Sequence, residues 1–75
     1  MITATQCKMA RAALGWGVRD LALRAKIAPN TVARFETGKS EPNASTLTMM
    51  RQAFEADGIE FTNGDADGVR LHRRR

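Results

Sequence analysis

Glycine and proline punctuate this chain so regularly that they bound its elements before any other feature is read. Gly15, Gly17, Pro29, Gly38, Pro42 and Gly58 divide the first 58 residues into four stretches of helical length. A glycine just past a helix accepts the left-handed conformation that side chains oppose, and proline suits the first helical turn, where its missing N–H has no partner to lose. In residues 5–14 the inward candidates Cys7, Ala10, Arg11 and Leu14 fall at i, i+3, i+4 and i+7, which is one helix face, and Gly15 ends it. Trp16-Gly17 opens a second helix over about 18–26, with Gly17 as N-cap, Asp20 at the third position, where an anion favours helix initiation, and Trp16 poised to pack on Leu21. Leu21, Ala22 and Ala25 carry its apolar stripe to Ile27. Ala28-Pro29 opens a third helix over about 29–37, with Val32 and Phe35 inward. Asn43 caps a fourth that runs to about Asp57 with Leu47, Met50 and Phe54 inward.

After Gly58 the period changes. Ile59-Glu60-Phe61-Thr62 and Val69-Arg70-Leu71-His72 alternate apolar and polar, and the turn-forming residues 63–68 lie between them, so a β-hairpin is expected. A lone hairpin is marginal and needs a surface to pack on. The expected division is therefore a helical domain at 1–58, a hairpin at 59–72 and a short basic tail at 73–75. With 75 residues the core must be small, and one cysteine and one histidine exclude an internal disulfide and a Cys/His zinc site. No apolar run is long enough to span a bilayer, and the first eleven residues lack the order of a signal peptide, so a reduced, cytoplasmic protein is expected.

Charge is segregated along the chain. Residues 1–40 carry a net charge of +5, residues 41–68 carry −5 and residues 69–75 carry +4. A basic first half and an acidic second half suit one face meant for a polyanion, although a solvated surface accounts for charge alone equally well.

Two short helices separated by a few residues have the geometry of a helix-turn-helix. Leu14-Gly15-Trp16-Gly17-Val18-Arg19-Asp20-Leu21-Ala22 resembles the LGWSQEELA segment that leads into the second helix of the Cro/C1-type (XRE-like) helix-turn-helix regulators. Residues 27–38, IAPNTVARFETG, resemble their recognition segment VSRSTISRIERG, and Glu41-Pro42 followed by Thr46-Leu47 resembles the start of their fourth helix. The resemblance spans about residues 3–58, and the hairpin resembles the ending of short single-domain members. It implies a mostly α, lambda-repressor-like four-helix DNA-binding domain with a C-terminal β-hairpin.

The resemblance also implies roles for particular residues. Pro29, Asn30, Thr31 and Arg34 would meet base edges. Asparagine pairs bidentately with adenine and arginine with guanine, whereas Pro29 has no donor and offers only apolar contact, such as to a thymine methyl. Thr37, Lys39 and Ser40 after the recognition helix, and Gly17, Val18 and Arg19 at the start of the second, would hold phosphates. Gly17 and Val18 stand where the family carries polar side chains, so contact there falls to backbone N–H groups. Arg11 and Glu36 match a salt bridge that orients the recognition helix, and the place of Arg11 on an otherwise apolar face independently favours burial.

Other features carry less. Cys7 reads as a small core residue rather than a redox switch, and Met9, Met49 and Met50 read as core or interface filling. Asn63, Asp65, Asp67 and Gly68 match the start of a calcium loop, but Arg74 stands where a bidentate glutamate is required, so the segment reads as a turn. No nucleophile–base set and no cofactor motif appears, so neither an enzyme nor a cofactor is expected. The expected function is sequence-specific binding of double-stranded DNA by a homodimeric transcriptional repressor, with no membrane attachment. The alternatives are an antitoxin-like module that grips a protein partner through the hairpin, and nonspecific RNA binding through the basic half.

Overall fold

In the computed structural model, which describes residues 1–63 and 66–72, four helices precede a two-stranded antiparallel sheet. The helices are α1 (Ala4–Leu14), α2 (Val18–Ala25), α3 (Pro29–Glu36) and α4 (Ala44–Ala56), and the strands are β1 (Ile59–Asn63) and β2 (Asp67–Leu71). The expected basic tail, residues 73–75, and Gly64 and Asp65 of the suspected calcium loop lie outside the described residues.

Several boundaries differ from the sequence expectation, each for a local reason. α1 begins earlier because Thr3 and Gln6 form a capping box. The Gln6 N–H donates to Thr3 Oγ1 at 3.1 Å, and the Thr3 N–H donates to Gln6 Oε1 at 3.0 Å. α2 stops at Ala25, because Lys26 turns left-handed with φ 61°, a conformation uncommon outside glycine. α3 stops at Glu36, with Thr37 as its C-cap. At the α4–β1 junction Gly58 has φ 95°, and a Cβ there would lie 2.6 Å from the His72 carbonyl oxygen. Only glycine lets the chain turn there while the His72 N–H donates to the Gly58 carbonyl at 2.8 Å.

The core is built around Phe54 of α4. Trp16 stacks on it with ring centroids 5.5 Å apart, and Phe61 of β1 meets it edge-on at 5.9 Å. Phe54 is thus the ring partner of Trp16, which packs against the cluster that also contains Leu21. The Arg24 guanidinium lies 4.6 Å above the Trp16 ring and 3.3 Å from Asp57, which fastens α2 to the C-terminal end of α4. On α1, Cys7 and Ala10 are buried, while Arg11 and Leu14 sit half-buried at the margin. Gln6 occupies the interior in their company. It is fully buried, and its Nε2 donates to the carbonyls of Thr62 (3.0 Å) and Gly68 (3.1 Å).

The hairpin finds its surface through these contacts. α1 packs under β2 and α4 under β1. The inner hairpin face carries buried Ile59 and Phe61 with half-buried Val69, and the outer face pairs Glu60 with Arg70 (4.0 Å) and His72 (2.6 Å). Met50 is buried in the core, while Met9 is half-buried and Met49 exposed.

Candidate nucleic-acid interface

α3 has two unlike sides. Val32, Phe35 and Glu36 are buried; Pro29, Asn30 and Arg34 are exposed, with Ala33 half-buried beside them and Thr31 half-buried at the margin. Asn30 and Arg34 stand four residues apart, so their Cβ atoms are neighbours at about 5–6 Å on the outward side. Neither side chain has a hydrogen-bond or ion-pair partner among the described residues.

The inward side is held by a polar clamp. Arg11 approaches Glu36 as a fork, Nη2 to Oε1 at 2.6 Å and Nε to Oε2 at 2.7 Å, and its Nη1 donates to the Trp16 carbonyl at 3.0 Å. The Cys7 thiol donates to Glu36 Oε2 at 3.0 Å. One carboxylate from α3 is thereby joined to α1 and, through Arg11, to the chain just before α2. Burial alone would raise the Glu36 carboxyl, but the hydrogen bonds from Arg11 and Cys7 and the Arg11 charge hold it below the ordinary glutamate range. Burial and the hydrogen bond to Glu36 push the Cys7 thiol up, so it remains a protonated donor. Cys7 is thus a buried strut of the clamp, with none of the exposure and thiolate character that reactive cysteines need.

Ion pairing sorts the basic residues. Arg11, Arg24, Arg51 and Arg70 each face a carboxylate. Lys8, Arg19, Lys26, Arg34 and Lys39 face none among the described residues and are exposed. Four of these five unpaired cations, all but Lys8 of α1, belong to α2, its C-cap, α3 and the segment after α3.

The remaining candidates offer specific groups. The Gly17 N–H is engaged by the Asp20 carboxylate at 2.7 Å, and the Val18 side chain packs against the core. At this corner the Asp20 N–H is spent on the Gly17 carbonyl at 3.1 Å, which leaves the N–H groups of Val18 and Arg19, the exposed Arg19 side chain and the exposed Asp20 carboxylate. After α3, the Thr37 hydroxyl donates back to the carbonyls of Ala33 (3.1 Å) and Arg34 (3.2 Å). The N–H groups of Lys39 and Ser40 both turn inward to the Arg34 carbonyl. In this segment the outward groups are the Lys39 and Ser40 side chains.

A helix-turn-helix family model matches residues 8–61, from within α1 into β1. The chain belongs to the Cro/C1-type (XRE-like) helix-turn-helix family. A comparison with curated proteins finds no match. The family is one of DNA-binding transcriptional regulators and is not a catalytic one. Its helix-turn-helix here is α2, the turn through Lys26 and Ile27, and α3. No helix among the described residues is long and apolar enough to cross a membrane.

Two contributors to this helix-turn-helix do not stand out in the sequence. Gln6 fixes α1 beneath the hairpin, and the Thr3-x-x-Gln6 spacing signals half of its role, the capping box. Arg24 locks α2 onto Trp16 and Asp57, and no local pattern marks it, since Asp57 is 33 residues away.

Proposed function

We propose that this protein is a sequence-specific repressor of transcription that acts as a homodimer and lays α3 in the major groove of duplex DNA. The observation that carries the reading is the pairing of Asn30 and Arg34. They are exposed, one turn apart and without partners among the described residues, on a helix whose other side is clamped by Glu36. An amide and a guanidinium are the side chains that read adenine and guanine bidentately in that groove. Pro29 adds an apolar edge suited to a thymine methyl, and the Thr31 hydroxyl serves as donor or acceptor at the margin.

Phosphate contacts position this helix. Arg19 and the open N–H groups of Val18 and its neighbour hold the backbone on one side, and Gly17 brings the chain close because it has no side chain. Lys39 and Ser40 hold the other side, with Thr37 shaping the segment that presents them. One recognition helix reads only a few base pairs, so two copies on an inverted repeat supply the specificity. The single buried, protonated thiol suits a reducing, cytoplasmic setting.

Selection from a random duplex pool tests this reading, followed by competition with single-stranded DNA and RNA. The reading expects an enriched inverted repeat whose half-site contains a guanine and an adenine, and a strong preference for duplex DNA. No enrichment, or equal competition by RNA, refutes it.

A second reading, a module of the antitoxin type that grips a protein, has its own observation. Leu23, 80% exposed, lines a mostly apolar groove together with Arg19, Ala22, Ile27 and Pro29, so the groove shares Arg19 and Pro29 with the DNA contacts of the first reading. Leu23→Ser leaves the affinity for the selected duplex unchanged under the first reading, because Leu23 makes none of the proposed contacts.

A further inference from the structure

We propose that the groove at the α2–α3 corner docks an acidic amphipathic helix of a different protein, which covers Leu23 and shuts duplex DNA out. The exclusion of DNA rests on the DNA-binding reading; the docking site rests on the groove alone.

Leu23 is the most exposed large apolar side chain among the described residues, at 80%. It lines a groove of about 280 Å³ together with Arg19, Ala22, Ile27 and Pro29. Ala22 is buried and Ile27 half-buried, so they form the floor, while Arg19, Leu23 and Pro29 are exposed around it. Small-molecule sites are concave, usually hold about 300–1,000 Å³ and bury most of their ligand. This groove is smaller and open to solvent, so it suits side chains that project from a larger partner.

The charges around the leucine identify that partner. Arg19, Leu23 and Lys26 fall at i, i+4 and i+7 and so line one face of α2, with Lys26 at its C-cap. Arg19 and Lys26 are exposed and have no carboxylate partner among the described residues. The acids of the two helices are already engaged. Asp20 accepts from the Gly17 N–H at 2.7 Å, and Glu36 is held by Arg11 and Cys7. The corner therefore presents one apolar side chain between two unpaired cations, about 10 Å apart along the helix axis.

A helix laid along α2 meets this pattern with an apolar residue flanked by two carboxylates, one turn to either side. Its apolar anchor enters the groove beside Leu23, and its carboxylates pair with Arg19 and Lys26. A second copy of this chain does not supply such a ligand. α1 has no acidic residue, and α2, α3 and α4 have one each, Asp20, Glu36 and Glu55. Glu36 is buried in the clamp, and Glu55 is paired with Arg51. The occupant is therefore another protein.

Two of the groove residues, Arg19 and Pro29, also belong to the proposed DNA contacts. Partner and duplex then cannot hold the corner together, and the partner's carboxylates are repelled by the phosphates. The occupant acts as a competitor that frees the protein from DNA.

Selection of binders to the full chain from a phage-displayed pool of randomised helical peptides tests the docking site. The expected enrichment is an apolar residue flanked by Asp or Glu at the spacing of Arg19 and Lys26. Fluorescence anisotropy then measures the best peptide against wild type, Leu23→Ser and Leu23→Gln. Leu23 is exposed, so both variants should keep the wild-type melt and the wild-type duplex affinity, while peptide affinity falls at least ~tenfold. Arg19→Gln should weaken the peptide and flatten its salt dependence. No enrichment, enriched peptides without acidic residues, or peptide binding that both Leu23 variants retain overturns the proposal. So does self-association of the wild type that sedimentation shows to be lost in Leu23→Ser, because the occupant is then a second copy. The selected duplex should displace the peptide, and a complex holding both refutes the exclusion. A peptide bound through Leu23 to a protein that selects no duplex refutes the DNA-binding reading and leaves the docking site standing.

Discussion

Replacing Glu36 by alanine removes the acceptor of three hydrogen bonds at once. Arg11 loses both arms of its fork, and the Cys7 thiol loses its acceptor. Glu36 is 8% exposed, whereas the Arg11 side chain is 21% exposed and keeps its bond to the Trp16 carbonyl. Breaking a buried pair from one side costs about 3–5 kcal/mol, and the partial exposure of Arg11 places this case near the lower end, about 3 kcal/mol. A domain of 75 residues has about 4–11 kcal/mol of stability in all. The loss is therefore a large fraction of the total and corresponds to a fall in Tm of about 12–24 °C. Circular dichroism melts of Glu36→Ala beside Lys39→Ala measure it, the second being an exposed substitution expected within ~0.5 kcal/mol of wild type.

The same pair has a pH signature. The Glu36 carboxyl is held below its unfolded value, so its contribution is full above the unfolded pKa of about 4.3 and is lost as pH falls through the lower folded value. The stability gap between wild type and Glu36→Ala should be constant from pH 5 to 8 and narrow in acid. Equal melts for Glu36→Ala and Lys39→Ala, or a gap that widens in acid, would refute the clamp.

Three further perturbations follow from single positions. Lys26→Gly relieves a side chain held at φ 61° and should stabilise the domain by up to about 1 kcal/mol in urea titration; a destabilised variant would contradict this. Gly58→Ala should destabilise strongly, because the new Cβ would lie 2.6 Å from the His72 carbonyl oxygen, and a melt lowered by less than Lys39→Ala lowers it would contradict this. Cys7 should resist thiol reagents in the folded state. Its raised pKa means stability present below about pH 8.5 and declining as pH rises further, while the unfolded thiol ionises and the folded one does not; Cys7→Ala should decline less steeply.

The helical skeleton was legible because its punctuation is local. Gly15, Gly38 and Gly58 all adopt positive φ, and Pro29 and Asn43 act where their chemistry suits a helix start. The inward side of α3 was legible from Val32 and Phe35, and the exposed places of Asn30 and Arg34 follow from it. Lys26 is different, since nothing in its own sequence marks a lysine for the left-handed conformation; the need to turn from α2 into α3 imposes it. Gln6 was illegible for a related reason. A glutamine reads as surface, and its burial is tolerated only because two hairpin carbonyls more than fifty residues away accept its amide. The segment after α3 offers candidate phosphate ligands by residue type alone. The structure shows which groups are already spent: the Thr37 hydroxyl and the Lys39 and Ser40 N–H groups all satisfy carbonyls at the end of α3.

In the proposed complex α3 reads bases through Arg34, while Lys39 only holds the backbone. The most direct measurement is binding of Arg34→Ala, Arg34→Lys and Lys39→Ala to the selected duplex and its single-base variants at several salt concentrations. Arg34→Ala should lose about 1–3 kcal/mol on the selected site and relax preference at one base pair, and lysine should not restore it, because an ammonium lacks the planar fork. Lys39→Ala should weaken every duplex alike and make the salt dependence shallower by about 0.9 for each phosphate that is no longer neutralised. If Arg34→Ala instead weakens all duplexes equally, Arg34 holds a phosphate and the claim that it reads a base is wrong.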